Sequence, residues 1–546
     1  MATPKRSSGG GYSRRTFLTG LGLGLGAAGA AGVATGVSLG RIDVRNHTVV
    51  PGNFTRMFPD LPAFFDKLEP AGATEPLRDV MRDLGRPGGL LDANDAISAG
   101  PVALIADATV NGNVPPTNPD NPTHTAGVTF FGQFMDLDIT FDSRSTLGVP
   151  TDPAATLNAR LAAFDLDTIY GQGPNVSPQY YDVNDTAKLR IESGGIFEDL
   201  PRNADGTAII PDPRTDQNLM ISGLHCVFIL FHNKAVDVAR QTGLLDPAAI
   251  FAEAKRLTLW HYQWLIVNEF LPLFVGPAMT NDILTSGRQH YQPAKGEAAM
   301  PVEFQGACFR VGHTMIRPSY RANLKGDGGR PFFGFIFDPA LGDSPGKDPG
   351  DLRSGSRAPR RFIGWQTFFD FKDGEVKRNK MIDTKISTPL FTLPLGAIAS
   401  HKAPTALMQR NFLRHMTWSM PSGQEIAGAM GVDRLSGEDL KELKTYGIGL
   451  EQHTPLFYYM LKESALVPSS DIGKNTGGFH LGPVGGRIVG EVVLGLLQTD
   501  PASYLVQRPD WTPTLQNPGP GFRMTDFLTF AGVDPATRRA QKPAFA

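Results

Sequence analysis

The chain has 546 residues, with Lys plus Arg at 52 and Asp plus Glu at 54, a formal charge of −2. That balance excludes the strongly basic surface that nucleic acid or an anionic membrane selects, while the length allows a large buried core. Glycine and proline, at 61 and 44, imply much loop.

The first forty residues carry Lys5, Arg6, Arg14 and Arg15 and no acid, followed by the Gly/Ala-rich run LGLGLGAAGAAGVATG. The pair in SRRTFL reads as a twin-arginine export address, and the run is too diluted by glycine for a permanent membrane span. Residues 1–40 are expected to be a signal segment, cleaved after Ala34, and 41–546 a single mainly α-helical domain with long loops and little strand. The expected destination is extracellular, periplasmic or cell envelope, with no stable membrane span after cleavage. Proteins sent by this route often carry a cofactor.

Residues 41–126 read as mostly irregular, with a helix at EPLRDVMRDLG and a loop at NGNVPPTNPDNPTHTAG. FGQFMDLDITFD, Phe131 to Asp142, sets three acids and a glutamine among large apolar residues, as in a buried helix that carries chemistry. On a helix Gln133 and Leu137 share a face, with Asp136 and Asp138 pointing elsewhere. Helical spacing recurs in Gln217 to Gly243, in Asp246 to Gly276 from an Asp-Pro start to a Pro-interrupted end, and in Met300 to Tyr320. It recurs again in Thr405 to Thr417, Ser422 to Gly431 and VGGRIVGEVVLGLLQTD. Cys226 and Cys308 are the only cysteines. They cannot form a disulfide framework, and two buried thiols are expected. His225, His232, His261 and His313, taken singly, read as hydrogen-bonded core residues.

Seven stretches, in order, change that reading: AGVTFFGQFMDLDITFD, FDLDTIYGQG, PDPRTDQNLMISGLHCVFILFHN, WHYQWLIVNEFLPLFVG, FRVGHTMIRPSY, MQRNFLRHMTWSMPSGQ and HLGPVGGRIVGEV. Together the chain resembles the animal-type haem peroxidases, the superfamily of myeloperoxidase and cyclooxygenase, in its bacterial branch. The likeness runs from TRMFPDLPAFF to FRMTDFLTFAGV. It implies haem b. His313 matches the proximal iron ligand, Asn411 the acceptor of its second ring N–H, and Arg414 an arginine beside a haem propionate. Arg214 matches the distal arginine that polarises peroxide, with Gln133 beside it. Gln217 stands where mammalian members esterify haem through glutamate, and Asn218 where one of them uses methionine. Asp136 matches the other ester, so the likeness leaves open one covalent link or none. It also implies calcium, held by Asp138, Asp165, Asp167 and the Ala163 carbonyl, with Leu161 replacing a threonine.

One departure is central. Where the family pattern has the distal histidine, the acid–base group of peroxide cleavage, this chain has Leu137. His124 lies upstream with nothing in its spacing to bring it in. Three functions follow, in order of preference. The first is a haem oxidoreductase acting on hydrogen peroxide or an organic hydroperoxide with a small reducing substrate, in the response to oxidative stress. The second is a haem dioxygenase or hydroperoxide isomerase acting on a lipid-like substrate, for which Tyr262 or Tyr320 would have to lie near the haem. The third is a non-catalytic haem-binding or adhesion protein.

Overall fold

The computed structural model describes residues 52–68, 74–105 and 118–545, apart from 295, 345 and 356, so the expected signal segment lies outside the described residues. Its architecture is mainly α. The helices that matter here are α1 (Thr74–Leu84), α2 (Ala126–Ile139), α3 (Leu219–Gln241), α4 (Pro247–Leu265), α5 (Leu271–Phe274), α6 (Gly312–Met315), α7 (Leu407–Thr417), α8 (Gly423–Met430), α9 (Leu456–Leu466), α10 (Pro483–Thr499) and α11 (Met524–Ala531). Strand is confined, among the described residues, to three antiparallel pairs. β1 (Asp120–Thr125) pairs with β6 (Arg378–Lys380), β2 (Glu192–Ser193) with β3 (Glu198–Asp199), and β4 (Ser319–Asp327) with β5 (Arg330–Phe335).

Side-chain caps set the starts of α3, α4 and α8. Asn218 accepts the Ile221 N–H at 3.1 Å to start α3, Asp246 accepts the Ala249 N–H at 3.0 Å to start α4, and Ser422 accepts the Glu425 N–H at 3.2 Å to start α8. Gly431, in the left-handed region at φ 69°, ends α8. α3 is the one described helix long and apolar enough to cross a membrane, but 78% of its most apolar window is buried in the protein. It is a core helix.

Three expectations are corrected. Asn121 to Thr125, read as loop, lies in β1, since a short strand paired to β6 has no strong signal of its own. The helix expected to Gly276 leaves α geometry for a π turn at Ile266–Phe270 before α5, and Pro272, with no N–H for an α ladder, follows directly. The long helix expected over Met300 to Tyr320 breaks into a short helix at Val302–Gly306, a 3₁₀ turn at Cys308–Val311, the single turn α6, and then β4. The first break falls at Ala307, whose φ of −136° and ψ of −69° leave helical geometry. Close packing keeps position 306 glycine, since a β-carbon there would stand 2.8 Å from the Trp418 ring.

α2 lies in the core. All its residues are buried except Gln133 and Asp136. Phe134 stacks on Phe228 of α3 at 4.6 Å, and Phe131 meets Tyr262 of α4 and Phe270 edge-on at 5.9 Å each. The Phe369 ring lies so close to Gly127 that an added β-carbon would be 2.3 Å from it. Any larger residue there would move the helix.

Candidate functional site

Both ends of α2 are fixed by groups distant in sequence. At its start the Ala126 and Gly127 amides donate to the carbonyls of Lys377 and Phe368, at 2.8 and 2.9 Å, in place of a side-chain cap. At its end Arg214 donates to the carbonyls of Leu137 and Thr140, at 2.9 and 2.8 Å, and Asn158 donates to the Ile139 carbonyl at 2.9 Å. A cation there also complements the negative end of the helix. The remaining Arg214 contacts go to Asp212, and its guanidinium lies 4.1 Å over Phe141. All three guanidinium nitrogens are thus engaged, so Arg214 clamps the helix end.

The open face of α2 is polar. Asn218 donates to Gln133 Oε1 at 3.4 Å, and Gln133 Nε2 donates to Gln217 Oε1 at 3.3 Å. Three residues on, Asp136 keeps accessible surface and its carboxyl makes no hydrogen bond among the described residues. Asp136 therefore stays with Gln133, contrary to the expectation that it points elsewhere, while Leu137 is buried at 5% exposure. Burial raises the Asp136 pKa above the usual carboxylate range, opposed by Arg310 and Arg214.

Arg310 connects this face to His313. It precedes His313 by three residues, is enclosed by protein, and has no carboxylate within ion-pair distance among the described residues; its one hydrogen bond runs from Nε to the Gln305 carbonyl, 2.8 Å. Burial and Arg414 push its pKa down to about 10. Arg414 is paired with Asp142 and donates to Ser145 at 2.6 Å, while Arg410 lies near enough to repel both arginines. The sequence reading missed Arg310. Only its buried, uncompensated surroundings single it out.

His313 is half-buried, and its Nδ1 lies 2.9 Å from the Asn411 carboxamide, 98 residues away. Burial, with Arg310, lowers its pKa to about 3, so the imidazole is neutral at any physiological pH. The contact is made by Asn411 Nδ2 and leaves its Oδ1 buried without a partner; turning the carboxamide over gives that oxygen the Nδ1–H of His313 and puts the ring's lone pair on Nε2. Nε2 has no protein partner among the described residues.

The acids after Leu137 converge too. Carboxylate oxygens of Asp138, Asp165 and Asp167 lie within 4.8 Å of one another. Asp138 accepts the Leu166 N–H at 3.2 Å and the Tyr262 hydroxyl at 3.4 Å. Leu166, at φ 58°, supplies the sharp turn between the other two acids, and Ala163 precedes it in the same loop. Burial raises all three carboxyls, Asp167 to about 7. Arg160 joins this cluster to the helix clamp, donating to Asp167 at 3.1 Å and to Asp212 at 2.6 Å. An oxygen of Asp167 remains buried without a partner.

The other histidines take structural places. His124 contacts Asn121 and the Leu273 carbonyl, His225 contacts Thr215, His232 contacts Tyr170, and His261 accepts two backbone amides. Cys226 and Cys308 are buried free thiols. Tyr320 accepts the Arg317 N–H, so neither this tyrosine nor Tyr262 hydrogen-bonds toward His313.

Residues 143–330 match the family described as animal haem peroxidase. Chorion peroxidase of Aedes aegypti is 26% identical over 172 residues, 29% of this chain and 22% of that protein. Dual oxidase of Drosophila melanogaster is 32% identical over 111 residues, 20% of this chain and 7% of that protein. The chain thus spans a small part of the relatives it matches. Among solved structures, peroxidase A from Dictyostelium discoideum superposes with a TM-score of 0.57 at 14% identity, covering 88% of this chain and 93% of that one. Oryza sativa fatty acid alpha-dioxygenase superposes at 0.51, also at 14% identity, covering 79% and 78%. Those two likenesses establish the fold.

Family and fold imply haem, and the residues fit it. A neutral imidazole with its outer nitrogen free and its inner one held by a carboxamide is a ready iron ligand. The uncompensated Arg310, beside Arg414, suits the acidic side chains of haem, and the unpartnered Asp136 is a carboxyl free for an ester link.

Proposed function

We propose that the chain is an exported haem-binding oxidoreductase of the peroxidase type, reducing hydrogen peroxide or an organic hydroperoxide slowly. The placement of neutral His313 against Asn411, with Arg310 between it and the Gln133 and Asp136 face of α2, carries this reading. Haem held there would supply an iron and its redox chemistry. Asn411 would fix the ring of His313, Arg310 and Arg414 would meet the haem carboxylates, and Asp136 would offer one covalent attachment. Gln133 and Gln217 would orient a ligand beside α2, where Leu137 takes no proton.

Protein expressed with added haem is expected to retain it through gel filtration; protein that emerges colourless would exclude the reading. Arg310→Gln is expected to weaken haem retention about ten- to a hundredfold in a transfer assay to apomyoglobin, the scale of one buried charge-assisted bond. An unchanged transfer rate would remove Arg310 from the site.

Calcium belongs to the same proposal, on Asp138, Asp165, Asp167 and the Ala163 carbonyl. The sign with pH follows from raised carboxyl pKa values. Without cation, folded-state stability falls as pH rises from about 4, where unfolded acids titrate, through the raised value near 7 of Asp167. Calcium should therefore raise the melting temperature more at about pH 7.5 than at about pH 5, and Asp138→Asn should remove most of that gain in calorimetry. Equal gains at both pH values would contradict the assignment.

A further inference from the structure

α6 is a single turn, Gly312–Met315, set between the 3₁₀ turn at Cys308–Val311 and an extended Ile316. One turn has too few internal hydrogen bonds to hold its own shape, so its geometry comes from outside. The residue after His313 supplies the grip. Thr314, wholly buried, donates its hydroxyl to the Asp383 carbonyl at 2.7 Å and accepts the Asp383 N–H at 3.3 Å. Two residues after Thr314, the Ile316 carbonyl accepts the Ser387 hydroxyl at 2.7 Å.

Asp383 is itself held by a buried charge. Its Oδ1 accepts the Lys380 ammonium at 2.7 Å and the Lys385 N–H at 2.7 Å, and Lys380 also donates to the Lys385 carbonyl, which closes the loop from 380 to 385. Lys380 is fully buried, and Asp383 is its one carboxylate within ion-pair distance among the described residues. Such a pair gains little stability over apolar side chains of the same size, because taking both charges out of water offsets their attraction. Its geometric consequence is larger. Lys380 ends β6, and Lys377, just before that strand, accepts the Ala126 N–H that starts α2 at 2.8 Å. α6 packs on both α2 and β6. The start of α2 and the base of α6 are thus fixed to the same short segment, residues 377–380.

We propose that the buried Lys380–Asp383 pair is a positioning group for His313, setting through Thr314 the height and tilt of α6 against α2. His313 then has two mounts, Asn411 on the ring and Thr314 on the backbone. The inference rests on the haem reading, and the test separates the two.

The experiment records the iron–histidine stretch by resonance Raman spectroscopy of reduced, haem-loaded full-length protein, a signal set by how His313 meets the iron. Thr314→Val keeps the shape of the side chain and removes its hydrogen bonds. It is expected to lower and broaden the stretch, because a ring free to tilt makes a weaker bond. Thr314→Ser keeps the hydroxyl and should keep the parent frequency. Lys380→Met combined with Asp383→Asn removes both charges while leaving Thr314 and the Asp383 carbonyl in place, and it should lower the stretch in the same direction. A purely structural pair would change the melting temperature and leave the stretch at the parent value. If either Thr314→Val or the double variant holds haem with the parent stretch, the inference falls; if Thr314→Val does not fold, the double variant decides alone. If the parent shows no haem band or no iron–histidine stretch, the haem reading falls first and takes this inference with it.

Discussion

Leu137→His is expected to speed the reaction of the haem-loaded protein with hydrogen peroxide by about 10²–10⁴-fold in stopped-flow absorbance, the usual contribution of one positioned acid–base group. Position 137 lies four residues after Gln133 on α2, buried in the core at 5% exposure, and the helix is pinned at its start by Lys377 and Phe368 and at its end by Arg214 and Asn158. The gain should stop near the acid–base contribution, because Arg214 remains committed to Asp212 and the helix carbonyls and adds little charge stabilisation. A rise confined to peroxide, with dioxygen dissociation altered much less, would show that the missing base was the limit. No rise would mean that proton transfer does not control the site.

The helices were legible because their signals are local. Apolar spacing places α3 and α8 to within a few residues, and the Asp-Pro start places the beginning of α4. The stretch around His313 was not, because its apolar spacing continues through the breaks at Ala307 and Ile316, where the backbone leaves helical geometry. β1 was missed for the same reason, its partner β6 lying some 250 residues away. At the site, the ordered motifs of the resemblance picked out His313 and Asn411, which the fold brings together, and the acids Asp138, Asp165 and Asp167, which it gathers. Identity alone could not show that Arg214 is spent on the end of α2, since that depends on Asp212 and on carbonyls released by the helix terminus. Nor could it reveal Arg310. An arginine three residues before a histidine is unremarkable until the structure shows it buried and uncompensated.

The second large effect concerns His313 itself. It is the group in the site that combines a neutral imidazole, a free outer nitrogen and a carboxamide holding the inner one. Asn411 shares only the last of these roles, so Asn411→Ala should leave haem bound but alter its spectrum, by freeing the ring and lowering its basicity. His313→Ala removes the iron bond itself. The most direct test of the account is therefore the absorption spectrum of the parent protein and of His313→Ala, both expressed with added haem and separated from free haem by gel filtration. The account predicts a strong Soret band that elutes with the parent protein and is abolished or greatly weakened in the folded His313→Ala variant. A Soret band of equal intensity in both would contradict it, as would a colourless parent protein.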